Sequence, residues 1–531
     1  MTFRVLRWVS LAGPGLMLVA CQTTLSASPA ETADTLIING TVFDGSGGPA
    51  QQADIAISGD KIVALGSDLG SRYRASDTID ASGLIVAPGF IDPHTHAGGD
   101  LASRQAKRRA NLAYIHQGVT TVVVGNDGFG KPDVAAMAKK ASRRGIGTNV
   151  AYLAGFGPIR EAALGKANRA PTEPELAQMQ ATTRQAMCEG AWGLSAGLYY
   201  VPQNYAKTDE IIALAKITSE FGGYYDTHMR DESTYNITVT GAVNEAIEIG
   251  READLPVHIA HIKALGPAVW GHSKKMIAAI ESARADGLRV TADQYPWTAS
   301  GTRISNALVP RWALEGGLEN LRERLADTEQ LGKIRKGMIA GLERRGGAER
   351  LLITGKLGGA DVPLGKTLAE LAADVGRSPV DTALAILVHG DARVASFNMN
   401  ADDIAAFAER DWVVTGSDGS TGHPRKYASF PKAYRDLVIE GDMSLSRFIR
   451  RSSAMTAEII GLRNRGYLKA GYAADLVLFD PDNFAPVATY QSPRELSQGV
   501  QHLLVNGVSV IKDGKYTEAL PGTPLLKRNG C

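Results

Sequence analysis

The stretch "GLIVAPGFIDPHTH" runs from Gly83 to His96 and sets two histidines, one residue apart, at the end of an apolar run. Residues two apart in an extended chain point to the same side, so His94 and His96 face together. The chain has only ten histidines in 531 residues, which makes this pairing worth following. The same design recurs downstream, where short apolar runs end in polar residues. These runs are "VTTVVVGN" (119–126), "NVAYLAG" (149–155), "WGLSAG" (192–197), "GYYDTHM" (223–229), "PVHIAHI" (256–262), "RVTADQY" (289–295) and "WVVTGSD" (412–418). Amphipathic helical sequence separates several of them, as in 172–190 and 208–222. Eight strands with helical crossovers predict a closed parallel (β/α)8 barrel of TIM type. A ninth run, "RVASFNM" (393–399), leaves the count unclean.

The chain ends predict something different. "TLIINGTVFDGSG" (35–47) and "ADIAISGDKIVALG" (53–66) are β-branched runs broken by Asn-Gly and Gly-Asp turns. "ADLVLFDPDNF" (474–484) and "VQHLLVNGVSVIKDGKY" (500–516) have the same rhythm. The two ends are expected to pair into one small β-sandwich, with residues 35–88 and 462–531 as its two parts. The barrel body then spans 89–461. Charged helical sequence at 311–338 marks an insertion at about 297–391, read as a lid.

The first residues read as an export signal and not as fold. Arg4 and Arg7 precede a short apolar stretch, and "LVAC" (18–21) resembles a bacterial lipoprotein signal. Residues 1–20 are therefore expected to be removed, Cys21 to be lipidated, and 21–34 to act as a tether. Gln22 after the cysteine favours the outer membrane over the inner, so a periplasm-facing or outer-membrane lipoprotein is expected. The remaining cysteines, Cys188 and Cys531, make no disulfide framework, and stability is expected from the core with bound metal. Net charge is +1, with 44% hydrophobic and 21% charged residues, and no polybasic tail or nucleic-acid motif is present. That balance excludes a nucleic-acid partner as the reading of this chain.

In a parallel barrel the C-terminal strand ends converge on one face, where catalytic groups sit. His94 and His96 end the first run, Asp127 follows the second, His228 ends the fifth, His261 the sixth and Asp418 the last. A lone histidine pair also serves local hydrogen bonding, and Asp418 in "GSDGS" also suits a turn. Four imidazoles and two carboxylates at one mouth form a set suited to Zn2+, one ion or two.

"PGFIDPHTH" with "THMRDE", "HIAHIK", "TADQYP", "GSDG" and "HPRKYASFP" resembles the amidohydrolase superfamily. Residues 190–215 and 464–484 resemble more narrowly the N-acyl-D-amino-acid deacylases, or D-aminoacylases. The resemblance covers nearly all the chain beyond the signal. It implies zinc-dependent hydrolysis of N-acyl-D-amino acids or related dipeptides, with a small-molecule N-acyl amino acid as substrate. It implies His94, His96, His228 and His261 as ligands and Asp418 as the catalytic residue that handles the proton. It also places Tyr200, Lys263 and Arg303 near the substrate, and gives His258 and His423 no ligand role. Two positions depart from the pattern. Asp127 in "GNDG" stands where a metal-binding cysteine is expected, and Phe156 in "LAGFG" stands where many relatives carry histidine. Rival readings are a cyclic-amide hydrolase, a dipeptidase, or a non-catalytic solute-binding lipoprotein. "AWGLSAG" (191–197) carries no lysine for carbamylation, which argues against the hydantoinase type.

Overall fold

The computed structural model describes residues 1–8, 10, 31–528 and 531, so Cys21 and nearly all the expected tether lie outside the described residues. The N-terminal part supplies β1 (Glu31–Val42), β2 (Gln51–Ser58), β3 (Lys61–Gly66), β4 (Tyr73–Asp80) and β5 (Ile85–Pro88). One residue later the chain enters β6 (Phe90–Thr95). It then runs through β7 (Val119–Val124), β8 (Asn149–Tyr152), the short continuation β9 (Ala154–Gly155), β10 (Gly193–Gly197), β11 (Tyr224–His228), β12 (Val257–Ile259) and β13 (Val290–Gln294). Three strands, β14 (Ser300–Arg303), β15 (Leu351–Leu357) and β16 (Asp391–Ser396), precede β17 (Val413–Thr415). The C-terminal part adds β18 (Leu476–Phe479), β19 (Val500–Val505), β20 (Val508–Lys512), β21 (Lys515–Tyr516) and β22 (Pro524–Leu525).

The barrel is parallel throughout. β6, β7 and β8 pair in sequence, β9 to β13 continue the circuit, and β17 follows β13. A parallel bridge from Thr95 to Gly419 closes it. All eight expected runs take barrel positions. Every residue of β7, "VTTVVV", is buried, threonines included, because a parallel strand covered on both faces leaves no side open to water. "RVASFNM" falls largely in β16, outside the barrel, which resolves the ninth run.

β16 lies between β14 and β15 in an antiparallel sheet of its own. With the helices Leu318–Ala326, Thr328–Arg344 and Pro379–His389, it encloses a separate apolar core that includes Leu308, Leu321, Met338, Leu371 and Val394. The insertion therefore holds its own shape while it overhangs the barrel mouth. The two chain ends meet in one nine-stranded, sandwich-like sheet, where β5 from one end pairs antiparallel with β18 from the other. Ile37, Ile55, Ile57 and Val86 pack there with Leu476, Leu478 and Leu504. Among the described residues no helix is long and apolar enough to cross a membrane.

The C-terminal tail completes the barrel wall. β22 runs parallel to β8, Leu525 O accepts from Trp192 Nε1 at 2.7 Å, and Lys527 N donates to Gly190 O. This path brings Cys531 against the end of the helix Glu173–Cys188, and the two cysteines are disulfide-bonded. The sequence offered no disulfide framework, and the structure joins these two cysteines in a single long-range bond. They lie 343 residues apart, and only the tail's docking makes them neighbours.

Because hydrogen bonds already seat the tail, the disulfide adds to a docked segment. Cys188→Ala is expected to lower stability by about 2 kcal/mol or less, with the tail becoming protease-sensitive while turnover persists. Calorimetry and limited proteolysis would check this, and an unchanged digestion pattern would refute it.

Candidate metal centre

The mouth is built from strand ends that leave the sheet abruptly. Asp127, His261 and Asp418 follow β7, β12 and β17, and all three have positive φ, 57°, 36° and 46°. That left-handed region costs a β-carbon residue about 1–3 kcal/mol. Asp tolerates it better than His, so the His261 turn is the strongest sign of a functional demand. The turn aims each side chain into the barrel. Gln203 Nε2 fixes the Asp127 carbonyl at 3.0 Å, and a side chain on Gly197 would strike that same oxygen.

The side chains converge tightly. Asp127 Oδ1 lies 3.3 Å from both His94 Nε2 and His261 Nε2 and 3.7 Å from His228 Nδ1. Its Oδ2 lies 3.5 Å from His96 Nε2. Asp418 Oδ1 approaches His96 Nε2 at 3.1 Å and His94 Nε2 at 3.7 Å. His228 Nδ1 meets His261 Nε2 at 2.9 Å. His94 is fully buried, yet neither of its ring nitrogens has a hydrogen-bond partner. Buried polar atoms without partners are rare, and a convergent set of imidazole and carboxylate donors around them fits a divalent cation.

The far side of each ring is also occupied. Glu232 spreads its two oxygens behind His261 Nδ1 at 3.3 Å and His228 Nε2 at 3.7 Å. Asp293 Oδ1 lies 3.8 Å from His94 Nδ1 and takes contacts from His258 Nε2 at 3.2 Å and His261 N at 3.0 Å. Carboxylates placed this way fix ring orientation and raise ligand basicity. Glu232 also takes Lys263 Nζ at 2.6 Å, and Lys263 Nζ further contacts His261 Nδ1 and His261 O at 2.7 and 2.8 Å. All three ammonium donors are thus engaged.

Asp418 has a partner that sequence reading missed. Arg425 Nη1 holds its Oδ2 at 2.8 Å, and the guanidinium lies 4.7 Å from the Tyr295 ring centre. Burial pushes the Asp418 carboxyl up, but Arg425 and the neighbouring imidazoles hold it below the ordinary carboxylate range. Burial likewise opposes the Asp127 charge, and the imidazoles, His94 foremost, pull it well below. His94 moves the other way: burial lowers it, yet the Asp127 carboxylate lifts it well above the usual imidazole value. His261, lowered by burial and by Lys263, is raised overall to about 9 by Asp418, Asp127 and Glu232. Protons therefore sit where a cation would.

The centre opens into a cavity of about 440 Å³ shared between the barrel and the insertion. Tyr200, Lys263 and Arg303 all line it, as do Arg393, Arg425 and Thr302. His258 is a buried partner of Thr291 and Asp293, and His423 Nε2 donates to Ala299 O while its Nδ1 accepts from Arg425 N. Phe156 is fully buried and lies outside the cavity lining. Glu232 and Arg425 were both inside quoted motifs, "THMRDE" and "HPRKYASFP". Their roles depend on a fold that brings residues 232 and 263, and 418 and 425, together.

Comparison with known proteins matches residues 77–302 and 362–511 to the amidohydrolase family, and the unmatched interval falls within the insertion. The chain is 32% identical to a D-aminoacylase of Alcaligenes xylosoxydans xylosoxydans over 95% of its length and 99% of that protein's. It is 33% identical to an N-acyl-D-aspartate deacylase of the same organism, over 94% and 95% of the two chains. The structure is similar to that of an N-acyl-D-glutamate deacylase from Bordetella bronchiseptica complexed with zinc and a phosphonate inhibitor. The TM-score is 0.77 at 30% identity, covering 93% of this chain and 100% of the other.

A divalent ion must displace the protons on His94 and His261. Its affinity for chelator-stripped protein is expected to climb by up to about tenfold per pH unit for each proton released, from about pH 6 to about pH 8. Calorimetric titration across that range would measure it, and a flat profile would contradict the arrangement of charges described above.

Proposed function

The chain belongs to the amidohydrolase family, and within it to the N-acyl-D-amino-acid deacylases; from that premise we propose that it hydrolyses the amide bond of N-acyl-D-amino acids, using zinc. The products are a carboxylic acid and a free D-amino acid. The observation that carries this reading is Asp418, with one oxygen clamped by Arg425 and the other turned to the imidazole cluster at the cavity floor.

When bound, the ion supplies Lewis acidity that polarises the amide carbonyl and makes water acidic enough to attack. His94, His96, Asp127, His228 and His261 would hold it. Asp418 Oδ1 takes the proton of the attacking water and delivers it to the leaving nitrogen. Arg425 keeps Asp418 ionised and occupies its Oδ2, leaving Oδ1 to move the proton. His261 can offer Nε2 to an ion only with a proton on Nδ1. That proton donates to Glu232 Oε1, so Lys263 loses an acceptor and turns to the cavity it lines. There Lys263, the Tyr200 hydroxyl and Arg303 bind the substrate α-carboxylate by charge-assisted bonds.

The cavity wall favours an acidic side chain on the amino acid. Arg303 and Arg393 face each other across the antiparallel pair β14–β16, and neither side chain is ion-paired to a described residue. Like charges directly opposite on a sheet are destabilising. Burial, with the Arg303 charge second, pulls Arg393 below its ordinary value. Gly355 and Gly422 make room for its stem, since a side chain at either would approach Arg393 Cδ to 3.2 or 3.4 Å. Two unpaired guanidiniums on one wall suit a substrate with a second carboxylate. A cyclic-amide hydrolase of the hydantoinase type is disfavoured by β10, which presents Ser195 bonded to Asp226 and no lysine. A simple binding protein has no use for a proton-handling Asp418.

We also propose export and anchoring through a lipidated Cys21. Arg4, Arg7 and "LVAC" support it, and the Cys188–Cys531 disulfide suits an oxidising compartment. Mass spectrometry of the mature N-terminus should find an acylated Cys21, and an unmodified terminus elsewhere would end that reading.

Asp418→Asn is expected to keep the metal and lower kcat about a thousandfold; near-normal turnover would remove Asp418 from its role. Arg393→Ala should raise KM about tenfold to a hundredfold for N-acyl-D-aspartate or N-acyl-D-glutamate and leave N-acyl-D-leucine nearly unchanged. Equal losses on all three substrates would show that Arg393 does not read the side chain. In Arg425→Met the Asp418 carboxyl loses its cation, its pKa rises, and the acid limb of kcat/KM moves to higher pH.

A further inference from the structure

The apolar surface of the cavity is confined to one side. Leu265, Val394 and Tyr199 line it but are themselves buried and offer little to a ligand. Phe129 is 53% exposed, and Tyr200 and Val201 are half-buried. These three follow β7 and β10, which flank β8 and β9 in the barrel circuit. The charged groups Lys263, Arg303 and Asp418 come from β12, β14 and β17, on the other half of the mouth. Tyr200 stands at the division. Its hydroxyl lies 3.5 Å from His228 Nδ1, and its ring centre is 5.2 Å from that of Phe129.

A single exposed apolar side chain is ordinary on a protein surface. Phe129 differs in being held against the cavity by a tightly bonded turn. Phe129 N donates to Asn126 O and Gly130 N to Gly125 O, both at 3.1 Å. Gly128 N donates to Ser195 Oγ at 2.9 Å, and a side chain on Gly128, where φ is 71°, would strike Gln203. The backbone that presents the ring is already ordered, so a ligand that covers it has little more of the chain to order.

We propose that Phe129, Val201 and the Tyr200 ring form the subsite for the acyl arm of the substrate, and that it selects extended apolar acyl groups, such as butanoyl and hexanoyl, over acetyl. The proposal rests on the hydrolytic reading above. A trans, planar amide sends its acyl group and its amino-acid part in opposite directions from the carbonyl. With the amino acid's carboxylates on the cationic half, the acyl chain runs over the ends of β7 and β10. An acetyl group has one methyl and covers little of the exposed ring. Each added methylene removes more apolar surface from water.

The test measures kcat/KM of the metal-loaded full chain for N-acetyl-, N-butanoyl- and N-hexanoyl-D-glutamate, and for the same three acyl groups on D-leucine. In both series kcat/KM is expected to rise about twofold to fourfold per methylene, so that hexanoyl exceeds acetyl by about tenfold or more. Free hexanoate should inhibit more strongly than acetate by a similar factor. Phe129→Ala, checked for folding by circular dichroism, should cut the hexanoyl-to-acetyl ratio about fivefold or more, and Phe129→Leu should keep most of it. A flat series on both amino acids, or a ratio unaltered in Phe129→Ala, would overturn the subsite and leave the hydrolytic reading standing. Absence of turnover at every acyl length on both amino acids would overturn the hydrolytic reading and the subsite with it.

Discussion

Four imidazoles and two carboxylates are pressed together beneath the barrel mouth, and the folded chain alone cannot satisfy them. His94 has two buried nitrogens without a hydrogen-bond partner, and its Nε2 lies 3.3 Å from Asp127 and 3.7 Å from Asp418. Burying a charge is costly unless it is paired, and here the pairing stays incomplete until a cation arrives. The surroundings look organised to hold that condition. Glu232 and Asp293 stand behind the rings, Arg425 restrains Asp418, and the left-handed turns at 127, 261 and 418 aim the donors. Each turn stores strain that the apolar barrel core offsets.

The barrel was legible because parallel strands covered on both sides are mostly apolar, and many of their polar residues collect where the strand stops. β7, "VTTVVV", displays the first half of that rule and β11, "YYDTH" with His228 at its tip, the second, although Asp226 is buried in mid-strand. The hairpins of the chain ends were legible from turn chemistry, since Gly59-Asp60 joins β2 to β3 and Asn506-Gly507 joins β19 to β20. The Asn-Gly pair at 39–40, expected as a turn, is instead an irregularity inside the continuous strand β1. Other features depend on distances that sequence does not encode. Glu232 lies four residues beyond His228 and serves His261 and Lys263, whose strand is a neighbour only after folding. Arg425 lies in the first turn of the helix Arg425–Tyr434, where it reads as an ordinary surface cation, yet it is buried against Asp418. The disulfide was hidden for the same reason, because β22 must first dock beside β8 before Cys531 can reach Cys188.

The insertion alters the meaning of the barrel mouth. Without β14, β15 and β16 the centre would open to bulk water and carry only the charges of the strand ends. With them it has a far wall, and that wall is cationic. Arg303 and Arg393 occupy paired positions on adjacent strands, where their mutual repulsion weakens the sheet that carries them. A separate apolar core stabilises that sheet and lets it tolerate the repulsion. On the proposed reading, metal chemistry and recognition of the substrate's charge would be divided between two folding units that meet at one cavity.

The contest over Asp418 shows how narrowly the centre is balanced. Burial alone would make this carboxyl neutral, and a neutral acid cannot take a proton from water. Arg425 reverses the outcome as an ion pair, although its own burial is costly and neither its Nε nor its Nη1 makes a hydrogen bond. The guanidinium is tolerable because one nitrogen is matched to Asp418 Oδ2 and its face lies against Tyr295. This leaves an ionised base with its remaining oxygen 3.1 Å from His96, the most open ligand, at the edge where the cavity meets the metal centre. On the proposed reading, a base held at that edge would serve both the attacking water and the leaving nitrogen, so one carboxylate would move the proton in both directions.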